Sequence, residues 1–370
     1  MGLKRYLCPS IHTHQMSSPK FPKIPLSFHA ELKKRISEYF TQKGKSPTGN
    51  FKLYLKAALL VTGFLGLYAF LVFFTPSAAW AILGCVLMGC VISAIGFNVM
   101  HDGAHGSFSS YKWINAMASN FANFLGASQH MWKSKHNVIH HTYTNIHGVD
   151  DDIEARPLLR LCGEQPRYMI HRYQHFYFWA AYSLLYIYWI FVTDYKKYFT
   201  GRIGSIALRK MTLKEHISFW FYKLAHAFIF VAIPIYMVGF MPWLIGFLSM
   251  GLVAGFVLSI VFQLAHTVEH VHFPLPDGAT GKMEDEWAIH QVKTTANFAT
   301  RNKIVSWLVG GLNFQIEHHL FPKISHVHYP EISKIIRKAC TEFGVPYIEY
   351  PKVRFAVASH VSYLRQLGRK

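Results

Sequence analysis

Four stretches of this chain are almost wholly apolar: Leu53–Phe74, Ala79–Met100, Ile217–Phe240 and Trp243–Ala265. Each is near the roughly 20 residues that cross a bilayer as a helix. The first carries Lys56 near its start, the second is uncharged, and the third is interrupted by Lys223 and His226. The links Thr75–Ala78 and Met241–Pro242 contain no Lys or Arg. A fifth run, Phe176–Val192, is shorter and carries Tyr177, Trp179, Tyr182, Tyr186, Tyr188 and Trp189. Such aromatics favour the membrane interface. The segment after it holds Lys196, Lys197, Arg202, Arg209, Lys210 and Lys214, and the N-terminal arm holds Lys33, Lys34, Arg35, Lys43 and Lys45. If the aromatic run spanned, these two basic segments would face opposite sides, against the gathering of positive charge on the cytosolic side. The pattern predicts an all-α integral membrane fold of four transmembrane helices in two hairpins. An interfacial aromatic helix over 176–192 and a cytosolic helical cap complete it, with both termini in the cytosol. A basic N-terminal arm, 1–52, should precede a membrane domain over 53–370.

The polar arms also carry a helical period. Phe28, Leu32, Ile36 and Phe40 recur at helix spacing, as do Ile332, Ile335, Ile336, Ala339 and Phe343 after Pro330. Both segments fit helices packed on the cap, and amphipathicity alone fits plain surface helices equally well. Met1–Leu26 has no apolar signal-peptide core, and Tyr6 stands where N-myristoylation wants Ser or Thr.

Composition sharpens the membrane reading. Hydrophobic residues make up 51% and charged residues 15% of the 370, against about 25% charged in soluble domains. Yet 38 Lys and Arg face 19 Asp and Glu, a net +19. Disordered, collagen-like and coiled-coil classes are excluded. Cationic loops at an anionic lipid surface account for both features, whereas nucleic-acid binding leaves the apolar runs unexplained. Cys8, Cys85, Cys90, Cys162 and Cys340 have no metal or redox spacing, and their odd number argues against a disulfide framework.

The chain has 23 histidines, and several fall into tight clusters. His101 and His105 stand in His-Asp-Gly-Ala-His at the end of the second apolar run. His136, His140 and His141 stand in His-Asn-Val-Ile-His-His. His318 and His319 close Gln-Ile-Glu-His-His, opened by Gln315, and His266 ends the fourth run. Residues four apart on a helix share a face, so His101 projects with His105 and His136 with His140. His141, one step round, can reach a second metal. The predicted topology brings all of these to one membrane face. His130, His147, His171, His175, His216, His226, His270, His272, His290, His326 and His328 read as packing or interfacial residues. So do His12, His14, His29 and His360 in the terminal arms.

Eight imidazoles and one Gln exceed the ligands of a single tetrahedral zinc. They suit two metal ions with open positions, and imidazole-rich sites take Fe, Cu, Zn or Ni. Asp102, Asn145, Asp150, Asp151, Asp152 and Glu317 are candidates to hold imidazole N–H groups; a solvated loop accounts equally well for the Asp run. Trp132 and Phe314 could line an apolar tunnel or simply pack the core. A membrane metal transporter would instead place ligands or acids midway along its spans, and the second run has none.

His-Asp-Gly-Ala-His, His-Asn-Val-Ile-His-His-Thr-Tyr-Thr-Asn and Gln-Ile-Glu-His-His-Leu-Phe-Pro resemble the three histidine boxes of membrane fatty acid desaturases. The Gln opening the third box is similar to that of front-end enzymes, which insert a double bond between an existing one and the carboxyl end. Trp287–Pro322, including Gln291-Val292 and Asn297-Phe298-Ala299, also resembles that subgroup. The resemblance covers roughly Phe97–His328. It implies oxygen-dependent desaturation of an acyl-CoA or acyl-lipid at two iron ions, with His101, His105, His136, His140, His141, His266, His318 and His319 as ligands. Gln315 stands where other desaturases have His, so it implies binding through water or orientation of substrate. No His-Pro-Gly-Gly motif of a fused cytochrome b5 is present. Electrons are then expected from a separate carrier, ferredoxin or free cytochrome b5, which a cationic face would attract. A lipid hydroxylase or a sphingolipid desaturase would share the histidine pattern.

Overall fold

The computed structural model describes residues 19–24 and 27–370. Cys8, His12, His14 and the start-of-chain readings at Met1–Ser18, Pro25 and Leu26 lie outside the described residues. The first helix, α1 (Phe28–Lys43), is capped by the Ser27 side chain and stopped by Gly44 at φ 57°. Asn50 caps α2 (Phe51–Phe73). The next span, α3 (Ala78–His105), is longer than the apolar pattern indicated. A π-helical turn at Gly96–Met100 carries it past the last apolar residue, so His101 and His105 belong to the span itself. Two further helices follow: α4 (Lys112–Phe124) and α5, made of the consecutive segments Gln129–Lys133, Ser134–His140 and His141–Tyr143.

The aromatic run is not a single helix over 176–192. It lies in α6 (Met169–Ser183) and α7 (Leu185–Thr200), which meet at 56°. The break sits on α9 (Phe240–His266), reached after α8 (Leu213–Val238). Gly255 explains the contact: a Cβ there would collide with the Ser183 carbonyl, and one at Gly251 would collide with Ile187. Small residues four apart let helices approach closely without water to drive them together. The same device joins α3 to α9, because a Cβ on Gly89 would strike the Met250 carbonyl. The Thr212–Glu215 capping box starts α8, and Gly239 at φ 87° ends it.

After α9 the chain forms α10 (Trp287–Lys293), α11 (Lys303–Leu308), α12 (Gln315–Leu320), α13 (Tyr329–Glu342) and α14 (Val353–Arg369). Two small ribbons pin loops: Arg202–Ile203 pairs antiparallel with Ile206–Ala207, and Asn297–Phe298 pairs parallel with Glu349–Tyr350. Phe28, Leu32 and Ile36 of α1 share a core with Ile332, Ile336 and Ala339 of α13. An Arg35–Glu342 pair at 2.6 Å closes its edge. The protein is thus helical, with four helices long and apolar enough to cross a membrane: α2, α3, α8 and α9. Of these α9 and α3 are the most buried, 44% and 39% of their apolar windows against 28% for α2 and 22% for α8. Among the described residues Cys85, Cys90, Cys162 and Cys340 are free thiols.

The charge that interrupts the third apolar run is neutralised inside the protein. Lys223 Nζ lies 2.8 Å from Asp194 Oδ2 and donates to the carbonyls of Gly126 and Ile190. Asp194 also accepts from Ser128 N and Trp189 Nε1. Removing one partner of a buried pair strands the other charge, at a cost of about 3–5 kcal/mol. Lys223→Met should therefore lower the unfolding midpoint of the detergent-purified protein sharply. Pairing it with Asp194→Asn should recover much of the loss.

Candidate metal centre

Four elements deliver the clustered histidines: the end of α3, α5, the end of α9 and α12. All but half-buried His105 are buried. His101, His105, His136 and His318 offer ring nitrogens that all lie within 4.8 Å of one another, and so do His140, His266 and His319. His141 stands between the two groups, its ring centroid 4.8 Å from His105 and 4.5 Å from both His318 and His319. His136 and His140 do share a face, with stacked rings 5.4 Å apart. Each belongs to a different one of these two groups, and together with Asp152 they form a third. The turn that carries them, Ser134–His140, is π-helical, as is the turn before His101. Such bulges recur at functional sites.

The second group is the clearer. His140 Nδ1 donates to Asp150 Oδ2 at 3.0 Å, His266 Nδ1 to the Thr294 carbonyl at 3.3 Å, and His319 Nδ1 to Gln291 Oε1 at 2.8 Å. Their Nε2 atoms are buried and have no hydrogen-bond partner. Each ring is thus fixed in the tautomer whose free lone pair faces the other two. A metal ligand is held in this way. In the first group His105 Nε2 and His318 Nε2 are likewise unpartnered, while His318 Nδ1 lies 3.2 Å from the Tyr329 hydroxyl. His101 Nε2 is 3.1 Å from His136 Nε2, which is 3.3 Å from His141 Nε2. Two nitrogens bound to one ion at about 2.1 Å stand roughly 3.0–3.4 Å apart. The donor set therefore fits two metal ions.

Electrostatics agree. Burial, and then the neighbouring imidazoles, holds His136, His141, His318 and His319 well below the usual histidine range. They are neutral, the form that binds metal. Burial would lower His140 too, but Asp150 and Asp152 outweigh it and raise the ring. The Asp run is not a solvated loop. Asp150 is buried and also accepts from Asn145 N and Asp152 N. Lys135 lies 2.7 Å from Asp152, and Lys197 lies 2.9 Å from Asp151.

Three other expected partners face elsewhere. Asp102 Oδ1 is 4.0 Å from His101 Nδ1, too far for a hydrogen bond. Asp102 Oδ2 instead accepts from His326 Nδ1 at 2.9 Å and from the Ser325 hydroxyl. Asn145 holds backbone, donating to the carbonyls of His266, His272 and Thr294 from a left-handed φ of 59°. Glu317 accepts from Asn297 Nδ2 and the Tyr347 hydroxyl, because its place on α12 turns it away from its two neighbours. Burial pushes its carboxyl up to about 7. Gln315 is fully buried, and neither of its amide atoms has a partner. Trp132 stacks on His136 at 4.5 Å, whereas Phe314 packs in the core of α13.

Several residues of the site carried no spacing signal: Gln291, Thr294 and Tyr329. Lys56 did carry one, since a lone charge in an apolar span is a functional candidate by default. Its Nζ donates to Asn98 Oδ1 at 2.7 Å and to the Trp307 carbonyl, and lies 3.3 Å from His326 Nε2. His326, read as packing, thus links Lys56 to Asp102. His270 lies beyond the end of α9, off the helix that would have aligned it with His266. His360 is held by the Tyr182 hydroxyl and the Thr267 carbonyl.

A helical membrane protein with two buried imidazole groups that could hold metal is the class these features define. Residues 77–351 match the family model for fatty acid desaturases, and the chain belongs to that family. It is an oxidoreductase of lipid metabolism. It is 37% identical to the sn-1 linoleoyl-lipid 6-desaturase of Arthrospira platensis over 346 residues, 93% of each chain. A Synechocystis protein of the same name is 36% identical over 92% of this chain and 96% of its own. The acyl-lipid (8-3)-desaturase of Physcomitrium patens is also 36% identical, over 92% of this chain and 72% of its own.

Loss of an outer partner to a metal-bound histidine costs about 10–100-fold in metal affinity. Asp150→Asn should show that loss, measured as metal retained per chain across a chelator series. Asp277→Asn, on a remote exposed loop, should retain metal like the parent.

Proposed function

We propose that this chain performs oxygen-dependent front-end desaturation of a membrane acyl-lipid at two iron ions. His101, His105, His136 and His318 would hold one ion, His140, His266 and His319 the other, with His141 between them. The convergence of unpartnered Nε2 atoms from separate helices carries this reading. Family membership favours iron over the other metals that imidazole accepts. Bound there, the pair would supply oxygen activation at positions the imidazoles leave open. Two adjacent methylenes lose one hydrogen each and a C=C bond forms. Oxygen is reduced to two waters with two further electrons and two protons.

The protein's own part is positioning. Asp150, Gln291 and the Thr294 carbonyl fix the Nδ1 side of the second group, and Tyr329 faces that of His318. Glu317 locks α12 to Asn297 and Tyr347. Gln315 is left to hold a water or the substrate. The names of the three relatives above, each a lipid-linked acyl desaturase acting at a stated position, favour a lipid-linked chain over acyl-CoA and support the front-end reading. Spans α3 and α9 both carry histidines at their C-terminal ends, which favours two hairpins with the boxes on one face. The basic segments favour the cytosol for that face and for both termini. An acidic electron carrier, ferredoxin or free cytochrome b5, would be steered to it.

The test is the fatty acid methyl-ester profile of a host expressing the chain, with and without fed linoleate, beside His318→Ala. A new double bond on the carboxyl side of an existing one, absent in the variant, is the expected result. A hydroxylated product would keep the metal assignment and overturn desaturation.

A further inference from the structure

The two histidine groups are held differently. In the second, each ring has a partner on Nδ1. In the first, His101 Nδ1 is buried without a hydrogen-bond partner, because Asp102 stands 4.0 Å away. Nothing holds the outer edge of that ring, so the backbone of α3 sets its direction. That backbone is π-helical just before the ring, with the His101 N–H bonded to the Gly96 carbonyl. Relaxed to an ordinary α turn, it would swing His101 and His105 about 100° round the helix axis, away from His136 and His318.

A buried network grips this turn. Asn98 lies within it and Asp102 just after it, and both are buried. Lys56, from α2, donates to Asn98 Oδ1 at 2.7 Å and to the Trp307 carbonyl at 3.0 Å, and lies 3.3 Å from His326 Nε2. His326 Nδ1 bonds Asp102 Oδ2 at 2.9 Å, so Nδ1 carries the ring proton and Nε2 accepts from the ammonium. The whole ammonium is then engaged. Asn98 Nδ2 donates in turn to the carbonyls of Ala94 and Leu308. The turn after α11 presses from outside. A Cβ on Gly310, at φ 59°, would collide with the Phe97 carbonyl, and one on Gly311 would collide with His326. Segments from α2, α11 and the approach to α13 thus close on Phe97, Asn98 and Asp102.

We propose that Lys56 and His326 are positioning residues for the first metal ion. An ammonium, a neutral imidazole and a carboxylate in series hold α3 in its π register and so aim His101 and His105. Neither residue is hydrogen-bonded to a histidine of either group. The effect is confined to the first group, because no histidine of the second lies on α3. The inference rests on the two-ion reading above.

The full chain, purified in detergent and loaded with Co²⁺, would be titrated with a chelator while bound cobalt is counted and its visible absorption recorded. The parent should hold two ions per chain. His326→Phe removes both bonds of the ring, whereas His326→Gln keeps an N–H for Asp102 and an oxygen for Lys56. His326→Phe should release one ion at a chelator concentration about tenfold lower or more, with altered cobalt bands. It should keep the other ion like the parent, which also shows that the variant is folded. His326→Gln should recover most of the loss. Adding Asp150→Asn should loosen the remaining ion. Gly310→Ala strains the π turn without touching a charge and should likewise loosen one ion, additively with Asp150→Asn; it carries the test if His326→Phe does not fold. Parent-like retention of both ions, equal loss of both, or no recovery in His326→Gln overturns the positioning role alone. A parent that binds fewer than two ions sinks the two-ion reading and this inference with it.

Discussion

Buried imidazoles crowded within 4.8 Å of one another are tolerable only if they stay neutral and aim their lone pairs inward. The rest of the architecture follows from that requirement. A neutral ring has one donor and one acceptor, so a partner on Nδ1 leaves Nε2 as the free acceptor. Asp150, Gln291 and the Thr294 carbonyl each supply such a partner. They come from a loop and from α10 with its C-terminal turn, which exist to stand behind the rings. Gln291 Oε1 accepts from Thr144 as well as from His319, joining the second and third boxes through one amide.

Much of this was legible along the chain. The four spans show as uninterrupted apolar length, and the helical repeats of 3 and 4 residues place Gln315, His318 and His319 on one short helix. What sequence could not show depends on backbone detail or on contacts between distant segments. The π turns at Gly96–Met100 and Ser134–His140 carry no residue signature, yet they set where the rings on either side of them point. That His136 meets His101, His105 and His318 while His140 meets His266 and His319 follows from which helices approach them. Glu317 sits between Gln315 and His318 in sequence and faces away from them, because adjacent helical positions differ by about 100°. The bend between α6 and α7 is seated against Gly251 and Gly255 on a different helix.

The spans obey the economy of a medium without water. Tight contacts use Gly89, Gly251 and Gly255, and each charge inside the apolar layer is fully engaged. Lys223 with Asp194 ties α8 to α7, and Lys56 ties α2 to Asn98 on α3 and to Trp307 of α11. Lys56 also reaches Asp102, the neighbour of His101, through His326.

Tyr329 opens α13, and its hydroxyl reaches His318. The same face of α13 is covered by α1 through Phe28, Leu32 and Ile36. Helix α1 is therefore packed into one unit with the third box. Linkage makes that relation two-way. Whatever factor metal binding contributes to docking of the arm, docking returns to metal affinity. A partner that grips the arm in its docked form would tighten the centre without touching a ligand, and one that peels it away would loosen it.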